Sequence, residues 1–243
     1  MYSEMMFYIL LLLVAFLYAS VGHGGASGYL ALMAFFSFAP ETMRPTALLL
    51  NVFVSLIAFI QYYRSGYFQW KLFWPFAIAS IPAAFIGAMI IIDEGVYKKV
   101  LAVLLLFSVA KLIGFKVQAD TLKKKQNLIA SLLIGTGIGL CSGMIGIGGG
   151  IILSPLILLL HWANMKQTAA VSALFIFVNS IAGLTGLFIK GINFTTTMGQ
   201  MLVIAFIGGM AGAYLGAKYF NTVKLKYLLS VVLVIAAAKL FFT

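Results

Sequence analysis

Charged residues are scarce in this sequence, and their scarcity excludes a soluble domain. Only 9% of the 243 residues are charged, whereas 63% are hydrophobic. A soluble domain carries about 25% charged residues, so this chain has too few to cover a water-exposed surface. The apolar residues come in long runs, several of which approach the roughly 20 residues that a helix needs to cross a bilayer. The sequence therefore predicts an all-α polytopic membrane protein with the lipid bilayer as its solvent.

Cysteine and acidic residues are also rare. The single cysteine, Cys141, excludes an intramolecular disulfide framework and a Cys-only zinc site. The sequence also disfavours a carboxylate proton relay within the membrane. It disfavours a divalent-cation site, which needs several hard oxygen ligands, and no cofactor is expected. The reason is that all five acidic residues fall at segment ends or in loops: Glu4, Glu41, Asp93, Glu94 and Asp120.

Basic residues outnumber acidic ones, but this excess does not indicate nucleic acid as a partner. The net charge is +11, and the Lys and Arg residues lie between apolar runs, where they fix the orientation of a membrane protein. Residues 1–6 contain Glu4 but no Lys or Arg, and no A-x-A site follows them. We therefore expect the first apolar run to stay in the chain rather than to be cleaved as a signal peptide. The expected location is the cell's inner or plasma membrane.

Four short stretches recur in the same order at nearly one spacing, which indicates a duplicated unit. The matched pairs are 22–26 with 146–150, 43–47 with 165–169, 64–68 with 189–193, and 109–113 with 237–241. Their offsets are 124, 122, 125 and 128 residues. The predicted organisation is a first transmembrane repeat at 1–116, a Lys-rich cytoplasmic linker at 117–126 and a second transmembrane repeat at 127–243.

Each half contains five apolar segments. They are 5–20, 28–39, 45–63, 71–92 and 97–114 in the first half, and 127–142, 150–162, 167–189, 196–218 and 223–242 in the second. The second segment of each half is too short to span the membrane, because about twelve helical residues reach only about 18 Å. We expect it to fold back on the first segment, as a Gly-rich re-entrant or broken helical hairpin followed by three transmembrane helices.

The distribution of Lys and Arg favours inverted repeats. With the linker in the cytoplasm and both first segments acting as hairpin arms, eleven of the sixteen basic residues fall inside. If the first segment of each half crosses instead, the halves run parallel and the inside count drops to nine. If all five segments of each half cross the membrane, the two repeats are again inverted. Because basic residues concentrate on the cytoplasmic side, inversion is predicted, and transporters built this way bind substrate near the midplane between the repeats.

Glycine is concentrated in two turns, at residues 20–28 and 142–150. Successive backbone N–H groups in such turns form a concave anion site, and the helix that follows adds its own free N–H groups and its positive dipole end. Two inverted hairpins bring both turns toward one point, which suits a small oxyanion. The alternative is that these glycines only let helices pack closely. A nucleotide-binding loop is excluded, because no Lys-Ser or Lys-Thr follows either turn.

The residues predicted to bind substrate lie in or beside the two turns. His23 either hydrogen-bonds the anion or carries a proton, and its repeat partner is Ile147. Cys141 either contacts substrate or serves as a small packing residue. The complete predicted set is Gly22, His23, Gly24, Gly25, Ser27, Asn51, Cys141, Ser142, Gly146, Gly148, Gly149, Gly150, Ser172 and Asn179.

The sequence resembles the TauE/SafE sulfite exporter family. The resemblance lies in the duplicated Gly-rich stretch, in Pro155 shortly after Gly148-Gly149-Gly150, and in the terminal pattern, with residues 146–155 as its most specific part. The first copy departs from the family pattern, since Ala26 stands in for a glycine and Leu32 falls where the second copy has a proline. The resemblance implies a transporter of sulfite, sulfoacetate, thiosulfate or other organosulfonates.

The leading hypothesis is an exporter of such small anions, not an enzyme, with the two turns as the binding shell. A small-anion channel that uses the turns as a filter, and an importer of thiosulfate or a sulfonate, are the alternatives. The single Cys141 makes a cysteine-based thiosulfate pathway less favoured. A membrane enzyme is the third hypothesis, because it needs a nucleophile–base pair or a metal cluster. A non-transporting scaffold is the fourth. The sequence leaves open whether the chain forms a homodimer.

Overall fold

The computed structural model describes residues 2–20, 24–114, 124–192, 194–219, 234 and 237–238. Within these residues it contains nine helices and no strand: α1 (Tyr2–Ser20), α2 (Ala26–Phe35), α3 (Pro40–Arg64), α4 (Trp70–Met89), α5 (Glu94–Gly114), α6 (Leu128–Ile145), α7 (Gly150–Leu159), α8 (Met165–Ile189) and α9 (Thr196–Tyr219). The tenth predicted segment, 223–242, lies outside the described residues except for 234, 237 and 238. Most of the predicted linker does as well.

Five of the described helices are long and apolar enough to cross a membrane: α3, α4, α6, α8 and α9. The prediction of an all-α multi-pass membrane protein is confirmed. α2 and α7 contain ten residues each, which at 1.5 Å per residue reach only about 15 Å. The second segment of each half is therefore short, as predicted. α6 has 18 residues, so the first segment of the second half is long enough to cross by length.

The short helices end earlier than their apolar runs. α2 ends at Phe35 and α7 at Leu159, whereas the apolar runs continue to residues 39 and 162. The backbone leaves each helix through a non-glycine residue with positive φ, Ser37 at 60° and His161 at 57°. These two residues are 124 apart, so the same turn is built twice. Composition did not reveal the helix end because the residues of both turns are themselves largely apolar.

α4 and α6 pack through glycines on α6 that are spaced four residues apart. A Cβ atom on any of these glycines would collide with main-chain atoms of α4, and the opposed pairs are Gly135–Phe76, Gly139–Ser80 and Gly143–Ala84. Small residues at this spacing let membrane helices approach closely. The residue numbers rise together along both helices, so α4 and α6 run parallel.

α1 and α9 make the corresponding contact in the other half of the bundle. Gly208 lies against the main chain of Leu12, and Gly212 lies against that of Phe16, so these helices also run parallel. The pair Gly212–Phe16 matches the pair Gly87–Leu140 of α4 and α6 at offsets of 125 and 124. The bundle therefore repeats one helix–helix contact at atomic detail.

α3 and α8 cross at the centre of the bundle, and they carry the short helices. α2 packs on α3 and α7 packs on α8, while α4 lies against α8 and α9 against α3. Leu48 of α3 contacts Gly183 of α8, and farther along α3 Asn51 lies near Ser180, which comes earlier in α8. Opposed numbering means that α3 and α8 run antiparallel. These five helix pairs map onto one another when the two halves are exchanged.

Candidate functional site

Each short helix begins at a glycine in the left-handed conformation. Gly25, at φ 92° and ψ −2°, is the N-cap of α2, and Gly149, at φ 76° and ψ −14°, is the N-cap of α7. Neither helix start has a side-chain cap. A Cβ at Gly25 would come 2.6 Å from the ring of Tyr29, and one at Gly149 would come 2.7 Å from Ile138. Backbone conformation and space both require glycine here.

The first N–H groups of the two short helices are free of intrahelical partners. The first hydrogen bonds at these starts run from Tyr29 N to Gly25 O at 3.0 Å and, in α7, from Ile152 N and Leu153 N to Gly149 O at 3.1 and 3.0 Å. The N–H groups of residues 26–28 and 150–151 precede them and have no acceptor within their helix, and they lie at the positive end of the helix dipole. Ala26 and Gly150, which begin the helices, are buried. Buried, uncapped helix starts of this kind favour negative charge.

Both turns contact the same two side chains at the crossing of α3 and α8. A Cβ at Gly24 would lie 3.1 Å from Asn51 Oδ1 and 3.2 Å from Ile176 Cγ2. A Cβ at Gly148 would lie 2.7 Å from Asn51 Nδ2, 2.9 Å from Ile176 Cγ2 and 3.0 Å from Ser180 Oγ. The structure therefore brings Gly24, Gly148 and Asn51 together, three residues that are far apart in the sequence.

Several polar side chains near this crossing are fully buried, and each has an oxygen atom that lacks a partner among the described residues. Asn51 donates from Nδ2 to Ile147 O at 3.3 Å, and Asn179 donates to Phe175 O at 2.8 Å. Each bond fixes the amide orientation, and neither Oδ1 has a hydrogen-bond partner. Ser55 Oγ and Ser180 Oγ lack one too, and all four of these side chains are 0% exposed. An unpartnered buried polar group costs about 1–3 kcal/mol, so these groups point to a bound polar species.

Two of the predicted site serines are satisfied within the protein. Ser27 and Tyr18 share a buried hydrogen bond of 2.8 Å between their hydroxyl groups, which ties α2 to α1. Ser154 donates to Gly150 O at 2.7 Å, and its Oγ lies 2.9 Å from Ser172 Oγ, which ties α7 to α8. Ser27 and Ser172 therefore hold the short helices in place beside the turns.

The end of α6 meets a basic residue that the sequence analysis did not select. Gly146 ends α6 at φ 88°, and a Cβ there would lie 3.0 Å from Arg44 Cα. Arg44 Nη2 donates to Ala88 O at 3.0 Å and to Gly143 O at 3.2 Å. Since these carbonyls lie at the C-terminal ends of α4 and α6, the guanidinium sits at two negative dipole ends. Its Nε is buried and has no hydrogen-bond partner.

One predicted residue, Cys141, does not join this cluster, and two others lie outside the described part of the chain. The side chain of Cys141 is exposed on α6. Gly22 and His23 lie outside the described residues. Ser142 lies beside the second turn, since its Cβ is 3.5 Å from a Cβ built on Gly149. Its buried hydroxyl has no hydrogen-bond partner. No group of three or more His, Cys, Asp or Glu side chains in the described part of the chain is placed to hold a metal ion.

Three residues at the crossing were missing from the predicted set: Ser55, Ile176 and Ser180. The repeat offset was the signal that could have found them. Ser55 and Ser180 are 125 residues apart, as are Asn51 and Ile176. Extending the match outward from the turns would have placed Ile176 opposite Asn51. Arg44 lies within the matched stretch 43–47, but it precedes the apolar run that begins at residue 45, so the match did not mark it as a site residue.

Comparison with known proteins adds a family to this geometry. The model of the family described as sulfite exporter TauE/SafE matches residues 7–240. The chain is 36% identical over 231 residues to the "Probable membrane transporter protein y4hK" of Sinorhizobium fredii, with 93% of this chain and 94% of that protein covered. It is 23% identical over 226 residues to the "Probable membrane transporter protein YdhB" of Bacillus subtilis, with 89% and 90% covered. No solved structure matches the chain.

Proposed function

Because this chain belongs to the sulfite exporter TauE/SafE family and is a multi-pass membrane transporter, we propose that it exports small sulfur-containing oxyanions. Sulfite, sulfoacetate and other organosulfonates are the proposed substrates, and the cell's inner or plasma membrane is the proposed location. The anion binds near the midplane, between the two Gly-rich turns. The inside-negative membrane potential drives its export with about 2.3 kcal/mol per charge per 100 mV.

One observation carries this proposal: the uncapped helix starts at Gly25 and Gly149 each follow a glycine, Gly24 or Gly148, and both of these glycines lie against Asn51 and Ile176. Backbone N–H groups and positive dipole ends attract an anion without any basic side chain. No described carboxylate competes for them, because Glu4, Glu41, Asp93 and Glu94 are all exposed. Such donors act more strongly in a site that excludes water.

The directions of the helices support inverted repeats for this transporter. α3 and α8 run antiparallel at their crossing, and the parallel pairs α1–α9 and α4–α6 each join a helix of one half to a helix of the other. If short loops make α3 antiparallel to α4 and α8 antiparallel to α9, then α1, α3 and α4 each oppose their counterparts α6, α8 and α9. Inverted repeats place the substrate at their interface and move it by rocking one repeat against the other.

Burial of the crossing favours a carrier over a channel. Asn51, Ser55 and Ser180 are 0% exposed, as expected of a site that is occluded from both sides. A carrier needs an occluded state between its two open ones, whereas an open pore keeps its filter in contact with water.

The test is flux in proteoliposomes loaded with radiolabelled sulfite or sulfoacetate. We expect saturable efflux and exchange with unlabelled anion added outside. The double variant Gly24→Leu with Gly148→Leu should stop it, because a side chain at either position fills the space beside Asn51. The matched control is Gly137→Leu, since nothing lies within 4 Å of a Cβ at Gly137.

Three outcomes contradict the proposal. Folded wild-type protein that moves none of these anions rules out the substrate class. Unchanged flux in the double variant rules out the turns as the site. Single-channel currents without exchange rule out the carrier.

A further inference from the structure

Equivalent positions at the crossing of α3 and α8 carry side chains of opposite polarity. Asn51 and Ile176 are 125 residues apart, the same offset that relates Ser55 to Ser180. Asn51 presents both atoms of its amide to the turns, Oδ1 beside Gly24 and Nδ2 beside Gly148. A symmetric site would carry a second amide at 176, and this chain carries a branched hydrocarbon instead.

Ile176 touches more of the two turns than any other side chain that lines the described glycines. Its Cγ2 lies 3.2 Å from a Cβ built on Gly24 and 2.9 Å from one built on Gly148. Its Cγ1 and Cδ1 lie against Gly150, the first residue of α7. The side chain is 6% exposed, and it lies against Gly24 of the first turn, Gly148 of the second turn and the first residue of α7.

We propose that Ile176 and Asn51 are the specificity-determining walls of the transport site, one apolar and one polar. This inference rests on the proposed function. A bare oxyanion held by the turns presents charged oxygens to the methyl groups of Ile176, which offer them no hydrogen bond. An anion with a small apolar group places that group against Ile176 and its charged head against the N–H groups and Asn51. Ile176 therefore favours short organic anions over inorganic ones, and it limits the length of the organic part.

Simple packing is the competing explanation for Ile176. A residue that only fills space loses stability when truncated, but it affects the transport of every substrate alike. A wall of the site changes the ratio between substrates. The structure supplies a matched control in Ile157 of α7, which is 0% exposed and packs in the cluster around Phe175 and Trp162 rather than against the glycines of the two turns.

The experiment compares kcat/KM for sulfite, methanesulfonate and butanesulfonate in proteoliposomes. We expect wild type to prefer methanesulfonate over both others. Ile176→Ala should raise the ratio of butanesulfonate to methanesulfonate by about 10-fold, the low end of what methylene-sized changes in a pocket give. Ile176→Asn should move the preference toward sulfite. Ile157→Ala should leave both ratios at the wild-type values.

Unchanged ratios in Ile176→Ala and Ile176→Asn overturn the inference, as does an equal change in Ile157→Ala. If Ile176→Ala does not fold, Ile176→Val supplies the same comparison with one methyl group removed. If wild type moves no sulfur anion, the proposed function fails. Acetate and valerate then test the same wall with another head group: an unchanged ratio in Ile176→Ala, or no transport of either, overturns the inference as well.

Discussion

Gly24 and Gly148 occupy equivalent places in the two turns, but their backbones differ. Gly148 has φ 70° and is followed by Gly149 at 76°, whereas Gly24 lies outside the left-handed region and is followed by Gly25 at 92°. A Cβ at Gly148 would also lie closer to Asn51 than one at Gly24, 2.7 Å against 3.1 Å. The second turn is therefore the more constrained copy. Duplication preserved the uncapped helix start but left the two turns with unequal tolerance for side chains.

Gly148→Ala should have the largest effect of the single substitutions at the turns. The new methyl group meets Asn51, Ile176 and Ser180, and a non-glycine residue at positive φ costs about 1–3 kcal/mol. We expect a lower thermal midpoint in detergent and no measurable anion flux. Gly137→Ala is the control. Wild-type flux in Gly148→Ala would show that the second turn is not the more constrained copy.

Arg44→Gln should have the second-largest effect, because it removes the charge that lies at the ends of α4 and α6. Its two hydrogen bonds to Ala88 O and Gly143 O are of the charged kind, worth about 1.5–3 kcal/mol each. The contrast is Lys166→Gln, the predicted repeat counterpart, which bonds only to Tyr67 at the exposed surface. Thermal unfolding should show a clear loss for Arg44→Gln and little change for Lys166→Gln. Equal losses would mean that the two basic residues play the same role.

Gly24→Ala should reduce transport less than Gly148→Ala does. The backbone at Gly24 lies outside the left-handed region, and the methyl group needs only a shift of a few tenths of an ångström from Asn51 and Ile176. We expect folded protein with a raised KM for sulfite, because the methyl group narrows the polar side of the site. A loss as complete as that of Gly148→Ala would remove the distinction between the turns.

Ser55→Ala and Ser180→Ala should separate binding from stability. Both hydroxyls are buried without a partner, so removing one loses no hydrogen bond within the described protein and relieves its burial cost. The thermal midpoint should stay the same or rise, while kcat/KM falls. Because Ser180 lies beside Gly148, its substitution should have the larger effect on transport. A lower midpoint with unchanged kcat/KM would make these serines structural.

Cys141→Ser should have the smallest effect. The thiol is exposed on α6, away from the faces that contact α4 through Gly139 and Gly143. Flux of sulfite and of thiosulfate should match wild type. A specific loss of thiosulfate transport would restore the thiol to the substrate pathway and favour the importer hypothesis.

The fold class and the paired turns were predictable because both follow from local properties. Apolar length decides whether a segment crosses a membrane, and glycine clusters mark the positions where the chain reverses. The offset of 125 residues also relates Ser55 to Ser180 from the sequence alone. Helix ends were harder to place, because Ser37 and His161 carry the turns without glycine or proline.

The sequence by itself determined a multi-pass helical protein with two glycine-rich turns that each precede a short helix. Only the tertiary structure decided which side chains face those turns. In a helix that is apolar on every side, composition does not reveal its rotation, so neither the outward position of Cys141 nor the inward position of Ile176 was visible. The position of Arg44 depends on the ends of two other helices, and those ends meet it only after α3, α4 and α6 have packed.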